Sequence, residues 1–313
     1  MQVILGSGGA IGRPLAAALS DYTDHVRCCS RSVHALPERY GTEYEHIVTD
    51  LLDAAAVHRA VAGAEVVYLT AGLPYRKKVW RRDWPILINN VIAACAAAGA
   101  KLAFFDNVYA LSPEEYDNMT EETPLAPQSI KGRIRKQVLD RIWSAHRSGE
   151  IVATVARAAD FYGPGVTTSL FNAMIIDKLQ GQSTPMWIGD PDLPHSFTYT
   201  PDAGRHFALL GNRPEAWGET WHLPTDGRAW TVREMMVLAA ELMGKPAKIQ
   251  TLPKPFFWAL GLFNSDLREL WDVREQFLRP YRLNSGKFAR TFGVRATPYE
   301  EGLRGMIDAA ETG

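Results

Sequence analysis

The 313-residue sequence has few cysteines and no excess of charge of either sign. Its three cysteines cannot build a disulfide framework, since Cys28 and Cys29 are adjacent in an apolar run and Cys95 lies in an alanine-rich stretch. This usage is typical of a reducing compartment. Lys and Arg total 34 against 35 Asp and Glu, which gives a net charge of -1. We therefore expect no nucleic-acid partner, although a local basic patch stays compatible with these totals.

Leader, membrane and metal signals are also missing. The first residues, MQVILGSGG, contain no basic segment followed by an apolar run and a small-residue cleavage site. No run reaches the roughly 18 apolar residues of a membrane span. The eight histidines are scattered, without an i, i+4 pair on a predicted helix, so we expect no metal site. These absences favour a soluble, cytoplasmic protein without a membrane partner.

The first half of the sequence alternates short apolar runs with longer stretches of helical spacing. The runs are of strand length and rich in β-branched or aromatic residues: Val3–Leu5, Val26–Cys29, Ile47–Val48, Val66–Leu69, Leu102–Phe105 and Val152–Ala156. The helical stretches between them are Ile11–Ser20, Ala54–Ala62, Trp84–Ala98 and Ile134–His146. Strands joined through helices form parallel sheets covered on both faces. The sequence therefore predicts an α/β fold with a doubly wound parallel sheet of the Rossmann type.

The pattern changes after Tyr162, where Gly163, Pro164 and Gly165 follow. Six of the nine tryptophans lie beyond this point, and proline and glycine become frequent. We predict helices at Thr168–Leu179, Pro201–Leu210, Val232–Met243 and Ser265–Phe277. Thr231 and Glu234 form a capping-box signature at the start of the third. We therefore predict a dinucleotide-binding core over residues 1–162 and a smaller substrate lobe over 163–313, with some segments returning to the core.

A glycine-rich loop joins the first predicted strand to the first predicted helix. In this segment Gly6 can make a tight turn, Gly9 lets backbone approach a pyrophosphate, and Gly12 lets the helix pack close to the sheet. The phosphates would then lie at the N-terminus of the helix. A glycine-rich turn without a ligand is the alternative. The position between strand and helix favours a dinucleotide site.

The end of the second strand bears on the choice of dinucleotide. NAD sites usually place Asp or Glu there, whereas this sequence has Ser30 and Arg31. A hydroxyl and a guanidinium suit a 2′-phosphate, and Arg13 adds a second positive charge. We therefore favour NADP over NAD as the cofactor. Alternatively, Arg31 is a solvated loop residue that contacts no cofactor. In Asp50-Leu51-Leu52-Asp53, one of the two carboxylates is predicted to accept from the adenine amino group. Asp50 is also a candidate N-cap for the helix at 54–62, and the two roles are compatible.

Several motifs resemble the extended short-chain dehydrogenase/reductases, the group of nucleotide-sugar epimerases, dehydratases and reductases. They run from the glycine loop to the C-terminal region: Gly6-x-x-Gly9-x-x-Gly12, Asp50-Leu51, Thr70-Ala71-Gly72, Asn107-Val108-Tyr109, Arg157-x-x-Asp160-Phe161-Tyr162-Gly163-Pro164, His195 to Asp202, Leu283 to Gly293 and Pro298 to Leu303. The resemblance implies a seven-stranded doubly wound sheet, a C-terminal substrate lobe, bound NAD(P) and frequent dimers. The predicted cofactor-binding residues are Gly6, Gly9, Ile11, Gly12, Arg13, Ser30, Arg31, Asp50, Leu51, Ala71, Gly72, Lys131, Ala158, Asp160 and Phe161.

The sequence departs from this resemblance at the expected catalytic residues. The family pairs Tyr-x-x-x-Lys with a Ser or Thr, and the Lys lowers the pKa of the Tyr that moves the proton. Alignment on Pro127 puts Lys131 and Arg135 at the Tyr and Lys positions. The segment Phe104 to Ala110 contains no Ser or Thr. All three expected groups are therefore replaced, while the glycine loop is kept.

The replacement residues form a candidate catalytic set. Lys131 and Arg135 share a helix face, so Lys131 is predicted to lose its proton more readily and to act as acid or base, and Arg135 to bind ribose. Asp106 and Asn107 could orient substrate or hold Lys131. The Asn107 amide both donates and accepts, so it could replace the lost hydroxyl. Tyr109 is a further phenol near the site. Alternatively, the basic residues are a solvated helix start, although cations there oppose the helix dipole.

Further substrate contacts are proposed in the segment after the fourth strand, where Tyr75, Trp80 and Trp84 accompany a basic run at 76–82. A solvated surface is the preferred interpretation of that run. His195 and Arg205 are candidates to reach the cleft. Together with Arg13, Arg31 and Lys131–Arg135, the run predicts a basic cleft at the carboxyl edge of the sheet. The near-zero net charge of the whole chain does not reveal this local excess of positive charge.

The sequence as a whole favours an NAD(P)-binding oxidoreductase or an epimerase/dehydratase-like enzyme with a variant Lys/Arg site. Its substrate would be a small carbonyl or hydroxyl compound or a sugar-type molecule. A catalytically silent NADP-binding regulator is the alternative, which the missing Tyr and Ser favour. The helices Trp84–Ala98 and Ile134–His146 are the candidate faces for a homodimer.

Overall fold

The computed structural model describes residues 1–32 and 44–311. Its strands are β1 Gln2–Leu5, β2 Val26–Ser30, β3 Glu45–Val48, β4 Val66–Leu69, β5 Lys101–Asp106, β6 Ala153–Arg157, β7 Asp160–Tyr162, β8 Met186–Ile188, β9 Phe197–Tyr199, β10 Thr220–His222 and β11 Gln250–Leu252. Its α-helices are α1 Gly12–Leu19, α2 Ala54–Val61, α3 Lys77–Ala98, α4 Ile130–Arg147, α5 Asp177–Gln180, α6 Thr200–Asn212, α7 Val232–Leu242, α8 Lys254–Phe263, α9 Ser265–Trp271, α10 Glu275–Leu278, α11 Gly286–Phe292 and α12 Tyr299–Glu311. A π-helical turn, Asn172–Ile176, leads into α5.

Tertiary contacts divide the chain into two compact units, each built from separate segments. The first unit contains Met1–Asp106, Arg133–Arg157 and Ala203–Trp221. The second contains Asn107–Gly132, Ala158–Asp202 and His222–Gly313. The chain therefore alternates between the units, and α4 and α6 each begin in the second and continue in the first.

A seven-stranded, mostly parallel sheet in the order β10-β6-β5-β4-β1-β2-β3 lies at the centre of the first unit, with helices packed against it. Gln2 of β1 pairs in parallel with Val26 of β2 on one side and with Val66 of β4 on the other. The predicted doubly wound parallel sheet is confirmed. Strands β1 and β4 are buried at every position, as expected for strands covered on both faces.

The second unit contains two small parallel pairs, β7 with β9 and β8 with β11, and most of the later helices. Its core contains several large aromatic residues, among them Tyr162, Trp187, Phe197, Phe257 and Tyr299. Thr231 caps α7 by accepting from the Glu234 amide, and the Glu234 carboxylate accepts from the Thr231 amide. The predicted capping box is confirmed.

Three helix predictions need correction, and one helix has no counterpart among the predictions. Helix α3 begins at Lys77 and continues through Pro85, although a proline costs a helix one hydrogen bond. The predicted helix Ser265–Phe277 is broken after Trp271, and Asp272 turns its carboxylate to the start of α4. The predicted helix Thr168–Leu179 begins two residues later than expected, at Leu170, and is π-helical over Asn172–Ile176. Helix α8 was not predicted at all, because its apolar residues surround the axis and form no single stripe.

Asp53, and not Asp50, caps helix α2. Its carboxylate accepts from the amides of Ala55 and Ala56 at 2.9 and 3.2 Å. An N-cap directly precedes the first helical residue, and that residue is Ala54. Asp50 instead accepts from the Leu52 amide at 3.0 Å in the preceding turn.

Candidate functional site

The glycine loop between β1 and α1 is a tight turn in which Gly6 and Gly12 have no room for a side chain. Gly6 has a φ of +100°, and a Cβ there would lie 2.5 Å from the backbone of Ala71. A Cβ on Gly12 would collide with the Ser7 carbonyl. The Gly6 and Ser7 amides both donate to the Cys29 carbonyl, at 2.9 and 3.0 Å, which fixes the loop to the end of β2. Two of the three motif glycines are therefore required by close backbone approach.

The loop lies at the point where the strand order reverses. Strands β2 and β3 follow on one side of β1, and β4, β5 and β6 follow on the other. Thr70, just after β4, donates its hydroxyl to the Gly6 carbonyl at 3.2 Å, and Ala71 and Gly72 follow it. In doubly wound sheets, dinucleotides bind in the crevice at the carboxyl ends of the strands at such a point.

The end of β2 presents a hydroxyl and a guanidinium beside the loop. A Cβ on Gly8 would lie 3.1 Å from Ser30 Oγ, so this hydroxyl faces the loop. Arg31 follows and is exposed, and Arg13 is exposed on the first turn of α1. The first turn of α1 contains no acidic residue. Positive charge thus accompanies the glycine loop in the first unit.

The other predicted cofactor residues of the first unit differ in exposure. Ile11 and Leu51 are buried, and the Leu51 carbonyl accepts from Asn90 Nδ2 at 3.0 Å. Asp50 is exposed. A Cβ on Gly72 would meet no atom within 4 Å, so this glycine borders open space. The predicted residues from the loop, β2 and the segment after β4 are thus gathered at one edge of the sheet.

Arg135 and Asp106 form a buried ion pair inside the first unit. Arg135 Nε donates to Asp106 Oδ1 at 2.7 Å, and a second guanidinium nitrogen donates to the Phe105 carbonyl at 2.8 Å. Arg157 Nε donates to the other carboxylate oxygen at 3.2 Å. The Arg135 guanidinium carbon lies 4.6 Å from the Trp84 ring centre. The arginine and carboxylate are therefore held rigidly at the end of β5.

Lys131 is fully buried in the second unit and bound to α9. Its Nζ donates to Glu269 Oε2 at 2.6 Å and to the Glu269 carbonyl at 2.8 Å. Asp272, just beyond α9, accepts from the amides of Ile130 and Lys131 at 3.1 and 2.9 Å. Two carboxylates thus neutralise the basic start of α4. This explains how cations are tolerated at a helix N-terminus, where they oppose the dipole.

Asn107 and Tyr109 form a turn directly after β5. Asn107 Oδ1 accepts from the Tyr109 amide at 3.0 Å. The half-buried Tyr109 lines a small cavity of about 70 Å³ together with Tyr116, Ser129 and Asp272. Among the five predicted catalytic residues, Tyr109 is the one that lines this cavity.

Asp160 belongs to an acid–imidazole–phenol cluster in the second unit. Its Oδ2 lies 3.0 Å from His195 Nε2, and the buried His195 ring stacks on Tyr281 with centroids 4.4 Å apart. Burial, and then the nearby Asp160 charge, raise the pKa of Tyr281 well above its usual range. Ala158 is buried and Phe161 is half-buried. His195 thus has a carboxylate partner within its own unit.

Several predicted substrate contacts lie elsewhere. Trp80 and Trp84 are buried on α3, where Trp84 packs against Phe104, so the expectation that they contact substrate is wrong. The basic run at 76–82 forms the cap and first turns of α3, and Arg82 pairs with Asp83 at 2.5 Å. Because Lys131 and Arg135 are paired with carboxylates, the predicted basic cleft loses two of its charges.

The carboxylate partners of Lys131 carry no signal in the sequence. Glu269 and Asp272 fall within a predicted helix like any other polar residues, and Glu269 is 138 positions from Lys131. Tyr281, which stacks on His195, was also missed. A buried Lys requires a partner, but that requirement alone does not identify which acidic residue supplies it.

The described residues form neither a metal site nor a membrane-spanning helix. Over residues 1–32 and 44–311, no group of three or more His, Cys, Asp or Glu side chains is arranged to hold a metal ion. None of the helices in the described part of the chain combines the length and the apolar character needed to cross a membrane.

Comparison with known proteins gave a family match. The model of the NAD dependent epimerase/dehydratase family matches residues 2–222. No match was found among curated proteins.

Solved structures similar to this chain include several enzymes of sugar nucleotides. UDP-glucuronic acid 4-epimerase from Bacillus cereus, solved with UDP-glucuronic acid and NAD, is 16% identical with a TM-score of 0.82, covering 100% of this chain and 99% of its own. UDP-glucose 4-epimerase from Thermotoga maritima, solved with UDP-glucose, is 18% identical with a TM-score of 0.81 and the same coverages. dTDP-glucose 4,6-dehydratase from Streptomyces venezuelae, solved with NAD, is 18% identical with a TM-score of 0.78, covering 100% and 97%. At these identities the likeness concerns the fold.

Proposed function

This chain belongs to the NAD dependent epimerase/dehydratase family, and we propose that it is an NAD(P)-binding oxidoreductase or epimerase/dehydratase-type enzyme. Its substrate would be a small carbonyl or hydroxyl compound or a sugar-type molecule. The structures of similar fold that hold UDP-glucose or UDP-glucuronic acid support the sugar-type class. The observation that carries the proposal is the glycine loop at the reversal of the strand order.

The residues present fit a dinucleotide. Gly6 and Gly12 are fixed by backbone contacts that leave no room for a Cβ, while a Cβ on Gly9 would meet its nearest neighbour at 3.4 Å. The neighbouring protein atoms therefore do not require a glycine at position 9. This supports the close approach of a ligand as the reason for a glycine there. The first-unit residues proposed to hold the cofactor are Gly6, Gly9, Ile11, Gly12, Arg13, Ser30, Arg31, Asp50, Leu51, Ala71 and Gly72. Those proposed from the second unit are Ala158, Asp160 and Phe161, together with Lys131, whose Nζ would first have to leave Glu269.

NADP is the proposed cofactor form, with NAD as the alternative. Ser30 Oγ faces the loop at Gly8, and the exposed Arg31 follows it. A guanidinium fork matches the oxygens of a 2′-phosphate, whereas a ribose 2′-hydroxyl is usually held by a carboxylate. Residues 30–32 are Ser-Arg-Ser and include no carboxylate.

Tyr109 is the proposed proton-transfer residue. When bound, the nicotinamide accepts or delivers hydride. The Tyr109 phenol is half-buried and lines a cavity, and the Asn107 side chain fixes its backbone. Lys131 would need to leave Glu269 before it could exchange a proton with substrate. We therefore propose Lys131, Arg135 and Asp106 as residues that position the site through their ion pairs, together with Asn107.

Two further features of the proposal concern assembly and location. We propose a homodimer through the exposed sides of α3 and α4, as the family resemblance implies. We also propose a reducing compartment such as the cytoplasm. The three thiols, Cys28, Cys29 and Cys95, are buried and free, which supports such a location.

One experiment tests the enzyme proposal. The purified full-length protein is titrated with NADPH and with NADH while nicotinamide fluorescence is followed, and then incubated with a panel of carbonyl compounds and sugar nucleotides. We expect NADPH to bind more tightly, and at least one substrate to be reduced, epimerised or dehydrated. Cofactor binding without turnover across the panel would instead support the regulator, and failure to bind either cofactor would contradict the whole proposal.

A further inference from the structure

Helix α8 exposes an apolar surface unlike any other surface on the described chain. Phe256, Trp258, Leu260, Leu262 and Phe263 are 64, 53, 45, 55 and 90% exposed. They account for five of the ten exposed large hydrophobic residues in residues 1–32 and 44–311, and the other five lie singly on other segments. Scattered apolar residues need no explanation, but a contiguous group marks an interaction site.

The exposed residues are arranged as one broad face. Phe256, Leu260 and Phe263 follow an i, i+4, i+7 spacing and share one side of the helix. Trp258 and Leu262 form a neighbouring row four residues apart. From Pro255 to Phe263 the helix contains no charged or hydrogen-bonding side chain apart from the Trp258 indole. The outer side of α8 is therefore apolar along its whole length.

The inner side of α8 is anchored, so the exposed face has a fixed orientation. Phe257 is fully buried and packs edge to face on Trp271 at 5.2 Å. Gly261 is buried against α9, where a Cβ would make an ordinary contact at 3.5 Å from the Arg268 backbone. The face is thus presented by a helical hairpin that is packed within the second unit.

The charged side chains within the segment from Leu242 to Ser265 are of one sign. Between Glu241 and Asp266 the sequence contains Lys245, Lys248 and Lys254 and no acidic residue. Lys248 and Lys254 are exposed, and Lys245 is partly exposed. The whole chain has a net charge of -1, so this local excess is a property of the segment.

We propose that α8 docks on the surface of an anionic lipid bilayer. An interfacial helix combines Trp, Phe and Leu on one face with Lys beside it, and gains affinity from both buried apolar area and headgroup attraction. The ten residues of α8 are too few to cross a bilayer, so the helix lies in the interface plane. This inference goes beyond the proposed function and replaces the expectation that the chain has no membrane partner.

Vesicle co-sedimentation of the full-length protein tests the proposal. Vesicles of phosphatidylglycerol mixed with phosphatidylcholine are compared with vesicles of phosphatidylcholine alone. Phe256→Glu/Phe263→Glu removes the apolar contact, and Lys245→Gln/Lys248→Gln/Lys254→Gln removes the charge. Val152→Glu is the matched control, since Val152 is exposed by 40% and lies in the first unit. Circular dichroism and thermal melting verify that each variant is folded.

We expect binding to the anionic vesicles, weakened about tenfold or more by either group of substitutions, and unchanged in the control. Added salt should weaken it as well, because it screens the headgroup attraction. Absence of sedimentation with any vesicle, or binding that the Phe substitutions leave intact, would overturn the proposal. A concentration-dependent dimer that the Phe substitutions abolish, without vesicle binding, would assign the face to a second copy of the chain.

Discussion

Lys131 Nζ lies 2.6 Å from Glu269 Oε2, in a buried ion pair between residues 138 positions apart. The lysine is fully buried, and a further bond to the Glu269 carbonyl helps to satisfy its donors. A buried charge without a partner is far more costly than a pair. The residue at the expected catalytic Tyr position is thus part of the architecture of the second unit, and its pairing gives the first prediction.

Glu269→Gln should destabilise the fold by about 3–5 kcal/mol, because it leaves the Lys131 charge buried without its carboxylate. The double variant Lys131→Met/Glu269→Gln should recover part of this loss, since it removes the charge as well. Urea unfolding of the unmodified protein, of Lys131→Met, of Glu269→Gln and of the double variant measures the coupling free energy between the two side chains. Additive effects in this cycle would show that the two side chains do not interact.

The glycine loop predicts opposite phenotypes for two alanine variants. Gly12→Ala forces a Cβ against the Ser7 carbonyl and should destabilise the protein by about 1–3 kcal/mol. Gly9→Ala meets only ordinary contacts and should leave stability within about 0.5 kcal/mol. It should nevertheless weaken dinucleotide binding by about tenfold, or about 1.4 kcal/mol. Thermal melts and NADPH titrations separate the two effects, and normal NADPH affinity in Gly9→Ala would exclude a close approach of the cofactor there.

Arg31→Ala should reduce the preference for NADPH over NADH by about tenfold, because a charge-assisted hydrogen bond to the 2′-phosphate is lost. NADH affinity should remain nearly unchanged, since that cofactor has no such phosphate. Fluorescence titration with both cofactors provides the measurement. Arg59→Ala, on α2, serves as a control for the general loss of one positive charge. Equal losses for both cofactors would contradict the specificity assigned to Arg31.

Tyr109→Phe should lower turnover by about 10²–10⁴-fold, the usual contribution of a general acid or base. NADPH affinity should not change, because the substitution removes only the phenolic hydroxyl. Tyr22→Phe is a suitable control, since Tyr22 is exposed in the first unit. Full turnover by Tyr109→Phe would return the role of proton transfer to Lys131, and Lys131→Ala would then be the variant that abolishes it.

The three buried thiols predict a loss of stability at alkaline pH. Burial raises the pKa of Cys28, Cys29 and Cys95 to about 12, from an ordinary value of 9.0. Their contribution is complete below about pH 9 and declines as the pH rises towards 12, since the unfolded chain releases these protons first. Urea unfolding across this range should show a falling free energy of unfolding, with a shallower slope for Cys95→Ala. An identical slope for that variant would show that Cys95 titrates normally in the folded protein.

The alternation of apolar runs with helical spacing was sufficient to predict most strands of the central sheet. Val66–Leu69 is a strand with the predicted bounds, and Leu102–Phe105 is extended by one residue at each end. Buried parallel strands give apolar runs, and the helices that cover them give a clear 3.6-residue period. In the second unit, strands of three residues such as β8 and β9 are too short for a pattern.

The candidate site was only partly predictable. The glycine loop depends on local backbone geometry, so its spacing in the sequence was enough to find it. The contacts of Lys131 and Arg135 depend on residues brought together by the fold, such as Glu269 and Asp106. From a single sequence one can expect that a buried cation has an acidic partner, but one cannot tell which acidic residue it is.

The long separation between Lys131 and its carboxylates also constrains synthesis of the protein. Ile130 and Lys131 leave the ribosome well before Glu269 and Asp272, whose carboxylates complete the start of α4. Until those residues emerge, Ser129 can cap the Gly132 amide, but the Ile130 and Lys131 amides lack their carboxylate acceptor and the Lys131 ammonium must stay hydrated. The second unit therefore cannot reach its final packing during the translation of its first segments, and its assembly waits for the helical hairpin of α8 and α9.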